Sequence, residues 1–193
     1  MPERLPGPDP VDIARAARSR PAREHRAPSR TLWLAAASAI VTLAIGSAVT
    51  HAQVPFLSFI DFGVHEFGHM IFGWAPYPVM LAAGSFLQVA FPLGLATYFA
   101  LGRGEMWAAA PLLAWSGTSL RNVAVYIGDA PYQRLELWGG DNVVHDWAQL
   151  LAGRAIQHAD AYAWFADTVG WLLIATALVL VIVNLVAEQP SAD

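Results

Sequence analysis

Apolar residues in this chain come in long unbroken runs, and the places where those runs stop outline the fold. No Asp, Glu, Arg or Lys occurs from Thr31 to Ile60, and Thr31 to Thr50 alone supplies the ~20 residues a helix needs to cross a bilayer. The stretch from Phe67 to Gly102 is equally free of charge, but Gly73, Pro76, Pro78 and Gly84 interrupt it. It predicts two helices joined by a turn, from about Phe59 to Trp74 and from about Val79 to Leu101, the second kinked at Pro92. A fourth helix is expected from Met106 to about Ile127, less apolar and carrying Arg121 and Asn122. Ionisable groups inside a membrane normally face protein or water, so this pair implies a polar cavity, unless the span ends near Ser119 and Arg121 snorkels to the interface.

Residues 128 to 144 hold Gly128, Pro131, Gly139 and Gly140 among charged residues and predict a loop. From His145 to Phe165, Trp147, Leu150, Leu151 and Ile156 recur at helical spacing, predicting an amphipathic or partly embedded helix. Thr168 to Ala187 is the last apolar run, with Asp167 and Glu188 at its ends. The expected fold class is therefore all-α: a polytopic helical membrane protein with about five transmembrane or membrane-embedded helices.

Residues 1 to 30 differ from everything after them, with seven of the eleven Arg and many Pro. They read as a disordered tail and not as a signal peptide, whose apolar core would stand near the start. Basic flanks stay on the cytoplasmic side, which predicts a cytoplasmic N-terminus and leaves 31–189 as the helical membrane domain. Composition agrees: 56% of residues are hydrophobic and 13% charged, with a mean hydropathy of +0.42. An average soluble domain is roughly 25% charged, so an ordinary soluble protein is excluded and the lipid bilayer becomes the first expected partner. The implied location is a bacterial inner membrane. With a net charge of -4 and no Lys, no basic field for nucleic acid exists. Cysteine is absent, which excludes disulfides, thiol nucleophiles and sulfur-ligated metals, so any metal must sit on His, Asp or Glu.

Within the second helix stands His65-Glu66-Phe67-Gly68-His69, a match to H-E-x-x-H. Residues four apart lie on one helix face, so both imidazoles reach one ion, while Glu66 is close enough to take a proton from metal-bound water without ligating. Asp61, one turn earlier, either accepts a hydrogen bond from a ligand imidazole or is an exposed acid near the helix start. Gly84, Ser85 and Gln88 open the next span and predict hydrogen bonds between helices, the alternative being an amide that holds a substrate backbone or transition-state oxygen. His25, His51 and His158 lack partner spacing and are expected in solvent.

On this motif, found here as the string H-E-F-G-H, the chain resembles the site-2 protease family of intramembrane zinc metalloproteases. The likeness is tight over about Phe59 to Trp74 and loose to about residue 150; neither Asn-Pro-Asp-Gly nor Leu-Asp-Gly occurs, nor a PDZ domain. The resemblance implies a Zn²⁺ cofactor, a transmembrane or membrane-proximal protein as substrate, and an aspartate downstream of Asn122 as the third ligand. Asp129, Asp141 and Asp146 qualify. Asp146 is preferred, because Val144-His145-Asp146-Trp147 offers an imidazole and a carboxylate together: His145 or Asp146 ligates while the other orients it. The competing role for Asp146 is a plain helix cap. Asp129 shares a helix face with Asn122 and Tyr126 and is the second candidate, or a partner for Arg121; Asp141, after Gly139 and Gly140, resembles a turn residue. The expected function is a membrane-embedded zinc metallopeptidase with Glu66 as base; the alternative is a membrane protein that binds or transports metal without hydrolysis.

Overall fold

A computed structural model describes residues 30–50, 55–137 and 143–187. Of the expected tail, residues 1 to 30, all but Arg30, which opens the first helix, lie outside the described residues, as does Asp141. Secondary structure among the described residues is wholly helical: α1 (Arg30–Thr50), α2 (Pro55–Ile71), α3 (Tyr77–Thr97) running into a π-helical turn (Tyr98–Gly102), α4 (Met106–Asp129), α5 (Asp146–Leu150), a 3₁₀ turn (Gly153–His158) and α6 (Ala159–Ala187).

Local chemistry explains most of these boundaries. Pro76 stands at the cap of α3 and Pro78 in its first turn, where a missing N–H costs nothing. Pro92 lies buried inside the same helix, and the Ser116 hydroxyl of α4 donates to the Val89 carbonyl at 3.1 Å beside the break in the ladder. Gly153 adopts φ +82 and stops the helix expected across residues 145 to 165 after only the five residues of α5. The last helix in turn begins at Ala159, well before the expected Thr168, and takes Asp160 and Asp167 inside it. Asp167 does not end the helix because Arg121 of α4 neutralises it, Nε to Oδ1 at 2.7 Å.

Among the described residues three helical stretches are long and apolar enough to cross a membrane: Leu32–Thr50, Tyr77–Gly102 and Gly153–Ala187. The other two long helices do not qualify. At 17 residues α2 is only about 25 Å long, and α4 is diluted by polar side chains.

Helix α4 is the centre of the bundle, packing against α1, α3 and α6. Small residues permit this. A Cβ on Gly117 would lie 2.7 Å from the Gly170 carbonyl oxygen, so α4 and α6 touch backbone to backbone. Around that crossing Val41, Ala44, Ala110, Ala114, Ala177 and Val181 form one buried cluster, while larger residues such as Leu43, Leu172 and Val183 face outward. Arg121 locks the layer: besides Asp167 it donates from Nη1 to the Ala48 carbonyl at 2.6 Å and lies over the Trp171 ring at 4.4 Å. Its guanidinium is thus held within the protein and does not snorkel. Helix α2 packs on α3, and the Gly68 Cα leaves no room for a side chain against the Ala83 backbone.

Candidate metal centre

The polar face of α2 carries Asp61, His65 and His69 on successive turns. Asp61 is buried and accepts from Trp115 Nε1 at 2.7 Å and from Ser119 Oγ at 2.9 Å. It is neither an exposed helix-start acid nor a partner of an imidazole; it fastens α2 to α4 and so fixes the height at which the two histidines emerge.

Those histidines are oriented from α3. His69 Nδ1 lies 2.8 Å from the Met80 carbonyl oxygen, and His65 Nδ1 lies 3.2 Å from Gln88 Oε1. A carbonyl only accepts, so each ring donates from Nδ1 and a neutral imidazole turns a bare Nε2 lone pair to the opposite side. Both Nε2 atoms converge on one carboxylate oxygen: Asp146 Oδ2 is 3.1 Å from His65 Nε2 and 3.3 Å from His69 Nε2. The three donor atoms lie within 4.8 Å of one another.

This donor set fits a metal ion. Ligands at the Zn–N and Zn–O lengths of about 2.0–2.2 Å in a tetrahedron stand ~3.3–3.6 Å apart, close to the separations found here. Two lone pairs facing an anionic oxygen repel unless positive charge lies between them, and a shared cation supplies it. The fourth side is kept small, since a Cβ at Gly84 would come within 2.6 Å of both Nε2 atoms. Two imidazoles and one carboxylate leave an open position, the pattern of catalytic rather than structural zinc sites.

Asp146 is delivered by the short helix α5, whose position is fixed from three directions. Its backbone N–H donates to Tyr126 OH at 3.0 Å, and Trp147 Nε1 donates to Ser85 Oγ of α3 at 3.0 Å. The Tyr77 hydroxyl donates to Gln149 Oε1. His145 caps the helix, its Nδ1 accepting from Ala148 N at 3.2 Å, which leaves the proton on Nε2. That nitrogen faces Asp129 Oδ2 at 3.4 Å, an electrostatic contact without hydrogen-bond geometry. The structure thus brings Asp146 to His65 and His69 and turns His145 away, stacked on Tyr126 with ring centroids 4.2 Å apart. Burial holds the His145 imidazole below the usual histidine range, against the pull of Asp129. Asp129 itself is spent on the loop, accepting from Arg134 N and Leu135 N at 3.0 Å.

A cavity of about 660 Å³ opens beside the donors, with His65, Glu66, His69 and Asp146 in its wall. Glu66 stays outside the donor cluster and is exposed to this space. Arg121 and Asn122 line the same cavity, the polar surface their position inside α4 implies. Two groups about the donors carry no role in the sequence reading, the Met80 backbone oxygen, which leaves no trace in sequence, and the Tyr126 hydroxyl, while Gly84 turns out to be the floor of the site. Gln88 and Ser85 do make bonds between helices, one of them to a donor ring. The signal for them was the small-and-polar group Gly84, Ser85 and Gln88 on one face of an apolar helix. Comparison with protein-family models, with curated proteins and with solved structures gave no match to this chain.

Proposed function

We propose that this chain is a membrane-embedded zinc metallopeptidase that hydrolyses peptide bonds in or near transmembrane segments. One observation carries the reading: three donors, arriving from α2 and from a helix 81 residues away in sequence, converge beside Glu66 in the wall of one cavity. His65, His69 and Asp146 would hold the ion. Bound there, zinc supplies Lewis acidity, acidifying a water molecule and polarising the scissile carbonyl.

The chain's own part is proton handling and placement. As the water oxygen adds to the carbonyl carbon, the C=O electron pair moves onto oxygen and Glu66 takes the water proton. When that pair returns, the C–N bond breaks and Glu66 passes the proton to the departing nitrogen. Water and amide become carboxylic acid and amine, with no covalent enzyme intermediate. A helical substrate must unwind first, since its carbonyls are engaged along the helix axis. The three apolar helices embed the domain in an inner membrane with the Arg-rich N-terminus on the cytoplasmic side.

The test uses the purified full chain in proteoliposomes, with zinc per chain and cleavage of a donor–quencher-labelled apolar helical peptide as readouts. Wild type should bind one zinc and cleave. Glu66→Gln should keep the metal and lose at least ~100-fold in turnover, whereas Asp146→Ala should lose both. Undiminished cleavage by Glu66→Gln overturns the role of the base. A wild type that moves zinc across the bilayer and cleaves nothing establishes the transport reading instead.

A further inference from the structure

We propose that Tyr126 is a catalytic residue, the hydrogen-bond donor that stabilises the oxyanion formed when water adds to the scissile carbonyl. This rests on the metallopeptidase reading and adds the group that reading lacks. Adding water to a carbonyl places a full negative charge on its oxygen, and a water-excluded site needs a donor fixed in advance at that point.

Tyr126 stands next to the donor cluster. Its hydroxyl oxygen accepts the Asp146 backbone N–H at 3.0 Å, which puts the phenol next to the residue bearing the third donor. The bond uses an oxygen lone pair and leaves the phenolic proton to be given away. Its ring is 6.2 Å from that of His65, and the residue lines the cavity that also holds Glu66. His65, Glu66, Asp146 and the phenol all line that one cavity.

The phenol is also held still. His145 stacks on it at 4.2 Å with the planes 28° apart, and His145 is pinned by its cap bond to Ala148 N and by Asp129. The conspicuous His145-Asp146 pair is therefore divided: Asp146 serves the ion and His145 serves the tyrosine. Three other donors around the cavity are committed. Arg121 is spent on Asp167 and the Ala48 carbonyl, Thr118 on the Trp115 carbonyl, and the Asn122 amide lies against Asp61.

Tyr126→Phe removes the proton and keeps the ring stack. The full chain, loaded with zinc in proteoliposomes, is assayed for cleavage of the labelled apolar peptide and for binding of the same peptide with a phosphinic group at its centre, an anionic mimic of the tetrahedral carbon. The expected result is a fall in kcat of about 10²–10³-fold, KM unchanged, zinc content unchanged, and a matching loss of affinity for the phosphinic peptide only. Equal kcat, or equal affinity for the phosphinic peptide, overturns the proposal. So does loss of zinc from Tyr126→Phe at saturating metal, which would make the bond to the Asp146 N–H the whole role of the hydroxyl. Failure of the peptidase reading looks different: wild type itself then neither cleaves the peptide nor prefers the phosphinic form.

Discussion

Adding one methyl group at position 84 should empty the metal centre while leaving the helix that carries it more stable. A Cβ there lies 2.6 Å from both His65 Nε2 and His69 Nε2, and ordinary contact begins at 3.4 Å, so each ring must retreat by the difference, 0.8 Å. Neither ring is free to do so, because α3 itself holds them by their Nδ1 atoms through Gln88 and Met80. Helix α3 cannot back off alone either, with Val89 bonded to Ser116 of α4 behind it. Metal–ligand distances tolerate only about 0.2 Å. Zinc affinity should therefore fall by at least ~100-fold, about 2.7 kcal/mol. Helix propensity points the other way, since Gly→Ala in a helix interior gains about 0.8–1.0 kcal/mol. The assay is zinc titration against a chromophoric chelator, paired with thermal unfolding followed by circular dichroism in detergent. Gly94→Ala is the control, on the same helix with nothing within 4 Å of the new carbon, and should bind zinc as wild type does. Unchanged zinc affinity in Gly84→Ala would refute the idea that α3 is shaped around an ion held by these two rings.

Two further substitutions probe the surroundings. Gln88→Leu removes the acceptor that orients His65 while keeping the volume, and should weaken zinc about 10–100-fold with Gln88→Glu restoring it; equal affinity in all three forms would show that the bond at 3.2 Å does not set the ring. Arg121→Met strips Asp167, the Ala48 carbonyl and Trp171 of a shared partner, and should lower thermal stability by about 3 kcal/mol, the low end for a broken buried pair because the Asp167 side chain is 39% exposed. Asp167→Asn should cost less, and an unshifted melting curve for Arg121→Met would remove the guanidinium from the account of how α1 is held.

What could be seen in the sequence followed from signals carried by single residues or fixed spacings. Uncharged runs gave α1 and α3 because a span is a property of composition, and the two imidazoles share a face because any helix puts residues four apart together. The misses arose where a distant partner decided the outcome. Asp167 looks like the end of a span until Arg121, 46 residues away, neutralises it. Asp61 looks like a surface acid until Trp115 and Ser119 are brought against it. His145 and Asp146 could not be separated by type, since both are good ligands; a cap bond to Ala148 turns the buried imidazole away from His65 and His69 and leaves the carboxylate facing them.

Placing the third donor on α5 has an energetic logic that also sets the order of assembly. A carboxylate at mid-bilayer costs about 2.5–3.5 kcal/mol on insertion, and no membrane-crossing stretch here contributes a donor from a span: Asp146 comes from a five-residue helix in the connection between α4 and α6. Of the three donors, only the two imidazoles then sit on a long helix. Until α5 docks through Tyr126, Ser85 and Tyr77, the two imidazoles offer an ion only half of a binding site. For the proposed zinc site, docking would supply the missing negative charge and the fixed geometry together, so tight metal binding and the folded connection would be one event.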